Sequence, residues 1–215
     1  MALPDLSDTT VFLDFDGTVT TVDSGVHLLS RLVDESVWRP IDDAYVRGEI
    51  GSRECLVAEW EMLPRDEALV RSVASEVDID PGFAGFVRDL RAAGAEVVVV
   101  SDGFGFLARD VCAGAGVECV TNDVDWSTFS LEFPHSDRCC PCSTCGTCKQ
   151  APIKAARARG RRTVLVGDGA SDRKAAVLVD SLYAKDGLAY WCDDAGVPYE
   201  WFDCLDDVRW GLGLS

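Results

Sequence analysis

Three short runs dominate what this chain can become: Thr10 to Leu13 (TVFL), Val97 to Val100 (VVVV) and Thr163 to Val166 (TVLV). Each is apolar or β-branched throughout instead of alternating, the pattern of a strand covered on both faces within a parallel sheet. Helical periodicity fills the intervals, as in Phe83 to Ala93, closed by Gly94, and Phe106 to Ala113, closed by Gly114. Strands alternating with helices predict an α/β, doubly wound parallel sheet. Glu118 to Thr121, Ser181 to Ala184 and Tyr199 to Phe202 are further strand candidates.

About 75 residues separate the first run from the second, and they read as helix: Gly25 to Val33, Ser36 to Tyr45 and Ser52 to Met62, with Ser36 and Ser52 as expected N-caps. A helical insertion directly after the first strand is expected to stand as a cap over the strand ends. It would occupy residues 21–81, returning near Asp80-Pro81-Gly82, with 1–20 and 82–215 as the core.

All three central strands end in small polar groups: Asp14 and Asp16, then Ser101-Asp102-Gly103, then Gly167-Asp168-Gly169. Ligands of open α/β sheets bind at the carboxyl ends of the strands, so these distant residues should converge. Carboxylates gathered in one place repel one another unless a hard divalent cation takes oxygens from them. Mg²⁺ suits Asp14 and Asp168 with the Asp16 backbone carbonyl, because it needs few carboxylates and keeps room for water and phosphate. One aspartate of the Asp14/Asp16 pair can then attack phosphorus while the other handles the leaving-group proton. Taken alone, an Asp-x-Asp-Gly segment is as well explained by a turn or helix cap.

The set does not stand alone. DFDGT (Asp14 to Thr18), VVVVSDG (Val97 to Gly103), a lysine ahead of the third strand and VGDGASD (Val166 to Asp172) together resemble the four ordered motifs of the haloacid dehalogenase (HAD) superfamily of phosphohydrolases. The helical insertion is similar to the cap of its phosphoserine-phosphatase-like group. The resemblance implies a Rossmann-like core and a Mg²⁺-dependent phosphatase acting on a small phosphorylated metabolite. It implies Asp14 as a nucleophile forming an aspartyl-phosphate and Asp16 as general acid and base. Ser101, with the amides of Asp102 and Gly103, would hold the phosphoryl group, and Asp168 and Asp172 would complete the metal shell. Lys149 and Lys154 both precede the third strand. Lys149 is preferred, since it would open a helix over 150–158 and place its ammonium at that helix's positive end. A phosphotransferase or mutase, and a zinc-stabilised binding protein without turnover, are the alternative readings.

Half of the ten cysteines fall between Cys139 and Cys148. With His135, the residues Cys139, Cys140, Cys142, Cys145 and Cys148 offer six ligands at chelating intervals, so structural Zn²⁺ is one expectation; reduced thiols, a disulfide or an iron–sulfur cluster are the others. The segment also resembles the Cys-rich stretch of methionine-salvage phosphatases acting on 2-hydroxy-3-keto-5-methylthiopentenyl 1-phosphate, and a related one in phosphocholine/phosphoethanolamine phosphatases. Its CCPC start makes it denser than either pattern.

Composition narrows the partners. With 37 acidic against 20 basic residues and a net charge of −17, the chain repels phosphate backbones and anionic membranes, so neither nucleic acid nor membrane is expected as a partner. The N-terminal MALPDLSDTT has no basic segment or apolar h-region, which leads to a cytoplasmic expectation. Substrate selection is assigned to the cap, where Val22, Asp23, His27, Arg47, Glu49 and Arg53 are polar or entry-side candidates, with Asn122 beyond the strand at 118–121. The six tryptophans are read as core or interface anchors. Oligomeric state is not legible.

Overall fold

A computed structural model describes residues 3–136 and 144–214. Its centre is a six-stranded sheet, β1 (Thr9–Leu13), β2 (Glu96–Val100), β3 (Glu118–Val120), β6 (Arg162–Gly167), β7 (Ser181–Ala184) and β8 (Glu200–Trp201), in the order β3-β2-β1-β6-β7-β8 with every pair parallel. A two-stranded antiparallel hairpin, β4 (Asp123–Asp125) and β5 (Ser130–Glu132), stands apart.

Side chains alternate across the pleat, and both faces are dry. Val11, Leu13, Val97, Val99, Val164 and Val166 enter one buried cluster with Phe86 and Leu90 of α5 (Phe83–Ala92), Ala108 and Cys112 of α6 (Phe106–Ala115), and Leu205 and Val208 of α10 (Leu205–Gly211). Phe12, Val98, Val100, Leu165 and Leu182 point the other way, against Ile153 of α7 (Gln150–Ala158), Ala175 of α8 (Arg173–Ala176) and Leu188 of α9 (Asp186–Ala195). Strands covered on both faces gain little from polar alternation, which is why their sequence shows none. α6 runs past Gly114, the expected stop, and ends at Gly116, whose φ of 63° supplies the left-handed C-cap.

Between β1 and β2 the chain makes four helices: α1 (Ser24–Leu32), α2 (Glu35–Val46), α3 (Ser52–Met62) and α4 (Glu67–Ala74). Its exit and return are tied together by a Thr20–Ile79 bridge and by hydrogen bonds from Thr21 N to Asp78 O (2.9 Å) and Asp80 N to Val19 O (2.8 Å). Two of the expected caps move. Asp34, not Ser36, caps α2 by accepting from Ser36 N, since a carboxylate ahead of the turn reaches that amide more directly. Gly51 occupies the N-cap of α3, and Ser52 is its first helical residue.

These helices have their own core, in which Leu28, Leu29, Trp38, Leu56, Trp60 and Val70 pack with Phe104 and Phe106 from the β2–α6 connection. The β4–β5 hairpin clasps this core from outside. Trp60 stacks on Phe129 (centroids 4.8 Å apart), donates Nε1–H to Phe129 O (3.0 Å) and meets Phe104 edge-on at 5.1 Å. Trp38 and Trp60 are the buried anchors expected of tryptophans, whereas Trp201 and Trp210 are exposed. Among the described residues no helix is long and apolar enough to cross a membrane.

Candidate active site

The register aligns the strand ends. Leu13 pairs with Val99 on one side and Val166 on the other, so Asp14, Ser101 and Asp168 emerge at neighbouring levels at the carboxyl edge. From β1 the chain builds outward to β2 and β3, then returns to β6 on the other side. The β1/β6 junction is therefore the switch point where an open sheet forms a crevice.

Buried charges meet there. Lys149, directly ahead of α7, places Nζ 2.6 Å from Asp14 Oδ1 and 2.8 Å from Asp172 Oδ1, with all three side chains almost wholly buried. Asp14 Oδ1 also accepts from Phe15 N (2.7 Å), and Asp172 Oδ2 accepts from Gly169 N (3.3 Å). Asp168 Oδ1 accepts from the Thr18 hydroxyl (3.0 Å). Carboxylate oxygens of Asp14, Asp168 and Asp172 lie within 4.8 Å of one another. Gly17, at φ 73°, turns the chain directly after the two motif aspartates, and a side chain there would overlap the Asp168 carboxylate.

Burial, reinforced by Asp172, pushes Asp14 well above the usual carboxylate range and Asp168 to about 7, against the pull of Lys149. Burial also works against the charge on Lys149, but Asp14 and Asp172 outweigh it and raise its pKa. Three carboxylates against one ammonium leave two negative charges in a desolvated space. That donor set, all hard oxygens with a charge deficit of two, fits a divalent cation of the Mg²⁺ type.

Asp16 faces elsewhere. Its Oδ1 accepts from Ser24 N (3.1 Å) and from the Ser24 hydroxyl at the start of α1, and its Oδ2 accepts from Ser101 Oγ (3.3 Å). Of the expected metal ligands it is the one whose carboxylate lies outside the cluster, leaving only its backbone carbonyl for that purpose. Gly103 N donates to Ser101 Oγ (3.1 Å), and a Cβ on Gly103 would overlap Asp16 Oδ2, so this turn too needs glycine.

Asp102 serves a different purpose from its neighbours. Its carboxylate accepts from Ser52 Oγ of α3 (2.6 Å), Thr147 N (2.6 Å) and Asn122 Nδ2 (3.4 Å), while Asn122 Nδ2 also donates to Gly103 O (2.7 Å) and its Oδ1 accepts from Thr147 Oγ (3.0 Å). The second strand end, the helical insertion and the segment leading to Lys149 are thus knotted at one carboxylate. Asn122 was expected as a substrate contact; it is fully buried in this knot.

The other candidates scatter. Asp23 caps α1, accepting from Val26 N (2.9 Å), and borders the cavity described below. Val22 is exposed, His27 Nε2 lies 3.4 Å from Glu76, Arg47 pairs with Glu49 on the surface (2.7 Å), and Arg53 donates to Cys145 O (3.4 Å). Cys139, Cys140 and Cys142 of the expected zinc set lie outside the described residues. Cys148 N donates to His135 O (3.1 Å), Cys145 Sγ lies 3.5 Å from Lys174 Nζ, and among the described residues His135, Cys145 and Cys148 do not gather into a three-ligand group. The zinc expectation gains no support there.

A cavity of about 110 Å³ opens between the strand ends and the helical insertion, bordered by Asp14, Asp16 and Asp168 below and by Asp23, Asp42 and Glu59 above. Asp42 and Glu59 were not singled out from sequence. The signal was present for Glu59, which falls four residues after Cys55 and three after Leu56, on the buried stripe of α3.

The sequence profile of the haloacid dehalogenase-like hydrolases matches residues 11–176. A 2-hydroxy-3-keto-5-methylthiopentenyl-1-phosphate phosphatase of Exiguobacterium sibiricum is 24% identical over 205 residues, covering 92% of this chain and 93% of that protein. One of the same name from Bacillus velezensis is 26% identical, covering 94% and 88%. Among solved structures, a phospho-aspartyl intermediate analogue of phosphoserine phosphatase superposes with a TM-score of 0.73 at 17% identity, over 94% of this chain and 97% of that one. A substrate-bound phosphoserine phosphatase gives 0.70 at 19%, over 93% and 96%.

Proposed function

Since this chain belongs to the haloacid dehalogenase-like hydrolase family and is a phosphatase of that fold, we propose that it hydrolyses a small phosphorylated metabolite through an aspartyl-phosphate on Asp14, with Mg²⁺ as cofactor. The observation that carries this reading is the buried Lys149 ammonium held between Asp14 and Asp172, behind the small cavity that Asp14 and Asp168 border.

Asp14, Asp168 and Asp172, with the Asp16 backbone carbonyl, are the groups to hold Mg²⁺, which when bound supplies positive charge to the phosphoryl oxygens and keeps the carboxylates ionised. Ser101 Oγ and the Gly103 amide, with the Lys149 ammonium, orient the phosphoryl group. An Asp14 carboxylate oxygen bonds to phosphorus as the ester P–O bond breaks, and the Asp16 carboxyl gives its proton to the departing alkoxide. Asp16, now ionised, takes a proton from water as the water oxygen bonds to phosphorus and the Asp14–phosphate bond breaks. Phosphate leaves, and both aspartates return to their starting states. Phosphoryl transfer of this kind rests on positioning and charge more than on covalent push. Helices α1 to α4 act as a cap, excluding bulk water until the first step is complete.

Phosphate release from a panel of small phosphomonoesters, with Mg²⁺ and with chelator, tests the reading. Release that requires Mg²⁺ and delivers phosphate to water is the expected result. Release indifferent to chelator, or phosphate delivered to a second organic acceptor, contradicts it.

A further inference from the structure

We propose that Cys112 and Cys119 are a redox-active pair that a hydroperoxide closes to a disulfide, and that the bond slows turnover by drawing β3 against α6. The bond itself stands apart from the hydrolase reading; its effect on turnover rests on that reading. Cys112 lies in the second half of α6, and Cys119 is the middle residue of β3, the edge strand beside β2. Between them α6 ends at Gly116, the Val117 amide donates to Cys112 O (2.9 Å), and the chain doubles back. That reversal sets Cys119 opposite Val99 and packs it against the cluster that holds Cys112. The two thiols meet there, Cys112 donating a hydrogen bond to Cys119. Cys112 is buried, whereas Cys119 is only half-buried and within reach of a small oxidant.

A buried cysteine is commonly no more than a small hydrophobe, and Cys192, set in an apolar cluster, fits that description. Two features separate Cys112 and Cys119 from it. Thiols already in contact across a helix and the strand that follows it meet the proximity a disulfide requires. The second feature is Arg109, one turn ahead of Cys112, whose guanidinium reaches the end of β3: it lies 2.7 Å from Asp123 and donates to Thr121 O (3.3 Å). The Cys112 hydrogen bond, opposed by burial and helped by Arg109, draws the Cys119 thiol below the usual range, while the same bond and burial hold the proton on Cys112. The pair thus divides into an attacking sulfur and a resolving one.

The Cys119 thiolate attacks one peroxide oxygen, the O–O bond breaks, and the departing oxygen takes a proton and leaves as water or alcohol. A sulfenic acid remains on Cys119. The Cys112 sulfur then bonds to the Cys119 sulfur as the S–O bond breaks, and the released hydroxide takes the Cys112 proton to become water. Two thiols lose two electrons and one hydroperoxide gains them. β3 is tied directly to the turn that carries Ser101. Ser101 N donates to Val120 O (3.0 Å), and Asn122 holds Gly103 O and Thr147 in the knot at Asp102. Drawing Cys119 toward α6 shifts both contacts, and a misplacement of ~1 Å in groups that position a substrate can cost on the order of 10²-fold in rate.

The test treats the pre-reduced full chain with hydrogen peroxide, then alkylates it and cleaves it after glutamate. Glu118 lies between the two cysteines, so the bond is read as two peptides held together until reduction. The linked pair should form before the exposed Cys204 loses its reactivity toward alkylation. With it, kcat toward an aryl phosphate with Mg²⁺ should fall about 5- to 50-fold and return on reduction with dithiothreitol. Cys112→Ala and Cys119→Ala, each checked by thermal melt, should keep the rate of the reduced protein and lose its sensitivity to peroxide. The mapping uses the native chain, so it stands even where a variant misfolds. Absence of the linked pair overturns the proposal, as do a linked pair with unchanged kcat and a peroxide loss that persists in both variants. A linked pair in protein that releases no phosphate from any ester, oxidised or reduced, upholds the bond and overturns the hydrolase reading, and with it the claim on turnover.

Discussion

Asp14→Asn should lower phosphate release by at least ~10³-fold while leaving the protein as stable as before at neutral pH. Asparagine keeps the shape and an acceptor oxygen for the Phe15 amide and Lys149, but it cannot serve as a nucleophile toward phosphorus. The stability half of the prediction follows from the raised pKa of Asp14. A carboxyl whose folded pKa lies above its unfolded one contributes stability at low pH that is lost as pH rises towards the folded value. Above that range the ionised Asp14 is a cost, and the amide does not carry it. Thermal melts with chelator at pH 7.5 should therefore show the variant equal to or above the native protein; a clear drop would contradict the surplus of buried negative charge described around Asp14.

Lys149→Met should act in the opposite sense on stability and in the same sense on turnover. Methionine fills the space but removes the one cation between Asp14 and Asp172, and breaking a buried ion pair from one side typically costs about 3–5 kcal/mol. For a chain of this size the melting temperature should fall on the order of 10 °C near pH 8. The deficit should shrink toward pH 4. Without Lys149 the folded pKa values of Asp14 and Asp168 rise further, so both carboxyls stay neutral through most of the acidic range, and the penalty returns as pH climbs through their raised values. Equal melting temperatures at pH 8 would remove Lys149 from the buried triad. Turnover should fall on the order of 10³-fold, because phosphoryl positioning loses its fixed cation.

The contrast between these residues shows what was legible in the sequence. β1, β2 and β6 were plain because strands buried on both faces must be apolar at every position, and Asp14, Ser101 and Asp168 stood out against them. Lys149 was legible because it precedes a helix immediately before a strand. The β4–β5 hairpin was not. Each of its strands has three residues, two of the first being aspartates, and it is held by Trp60, Trp126 and Phe129, contacts that no local pattern reveals. The knot at Asp102 escaped for a related reason, since Ser52 looks like a helix cap until its hydroxyl is seen to donate across 50 positions. Asp42 and Glu59 read as ordinary acids of amphipathic helices. Only the packing of α2 and α3 over the strand ends turns them toward a common cavity.

The central claim is a covalent bond between Asp14 and phosphorus, and quenching the enzyme with borohydride during Mg²⁺-supported turnover tests it most directly. Reduction of the aspartyl-phosphate should leave homoserine at position 14, found by peptide mass mapping and absent without substrate or in Asp14→Asn. Sustained turnover with an unmodified Asp14, or homoserine at a different aspartate, would contradict the account.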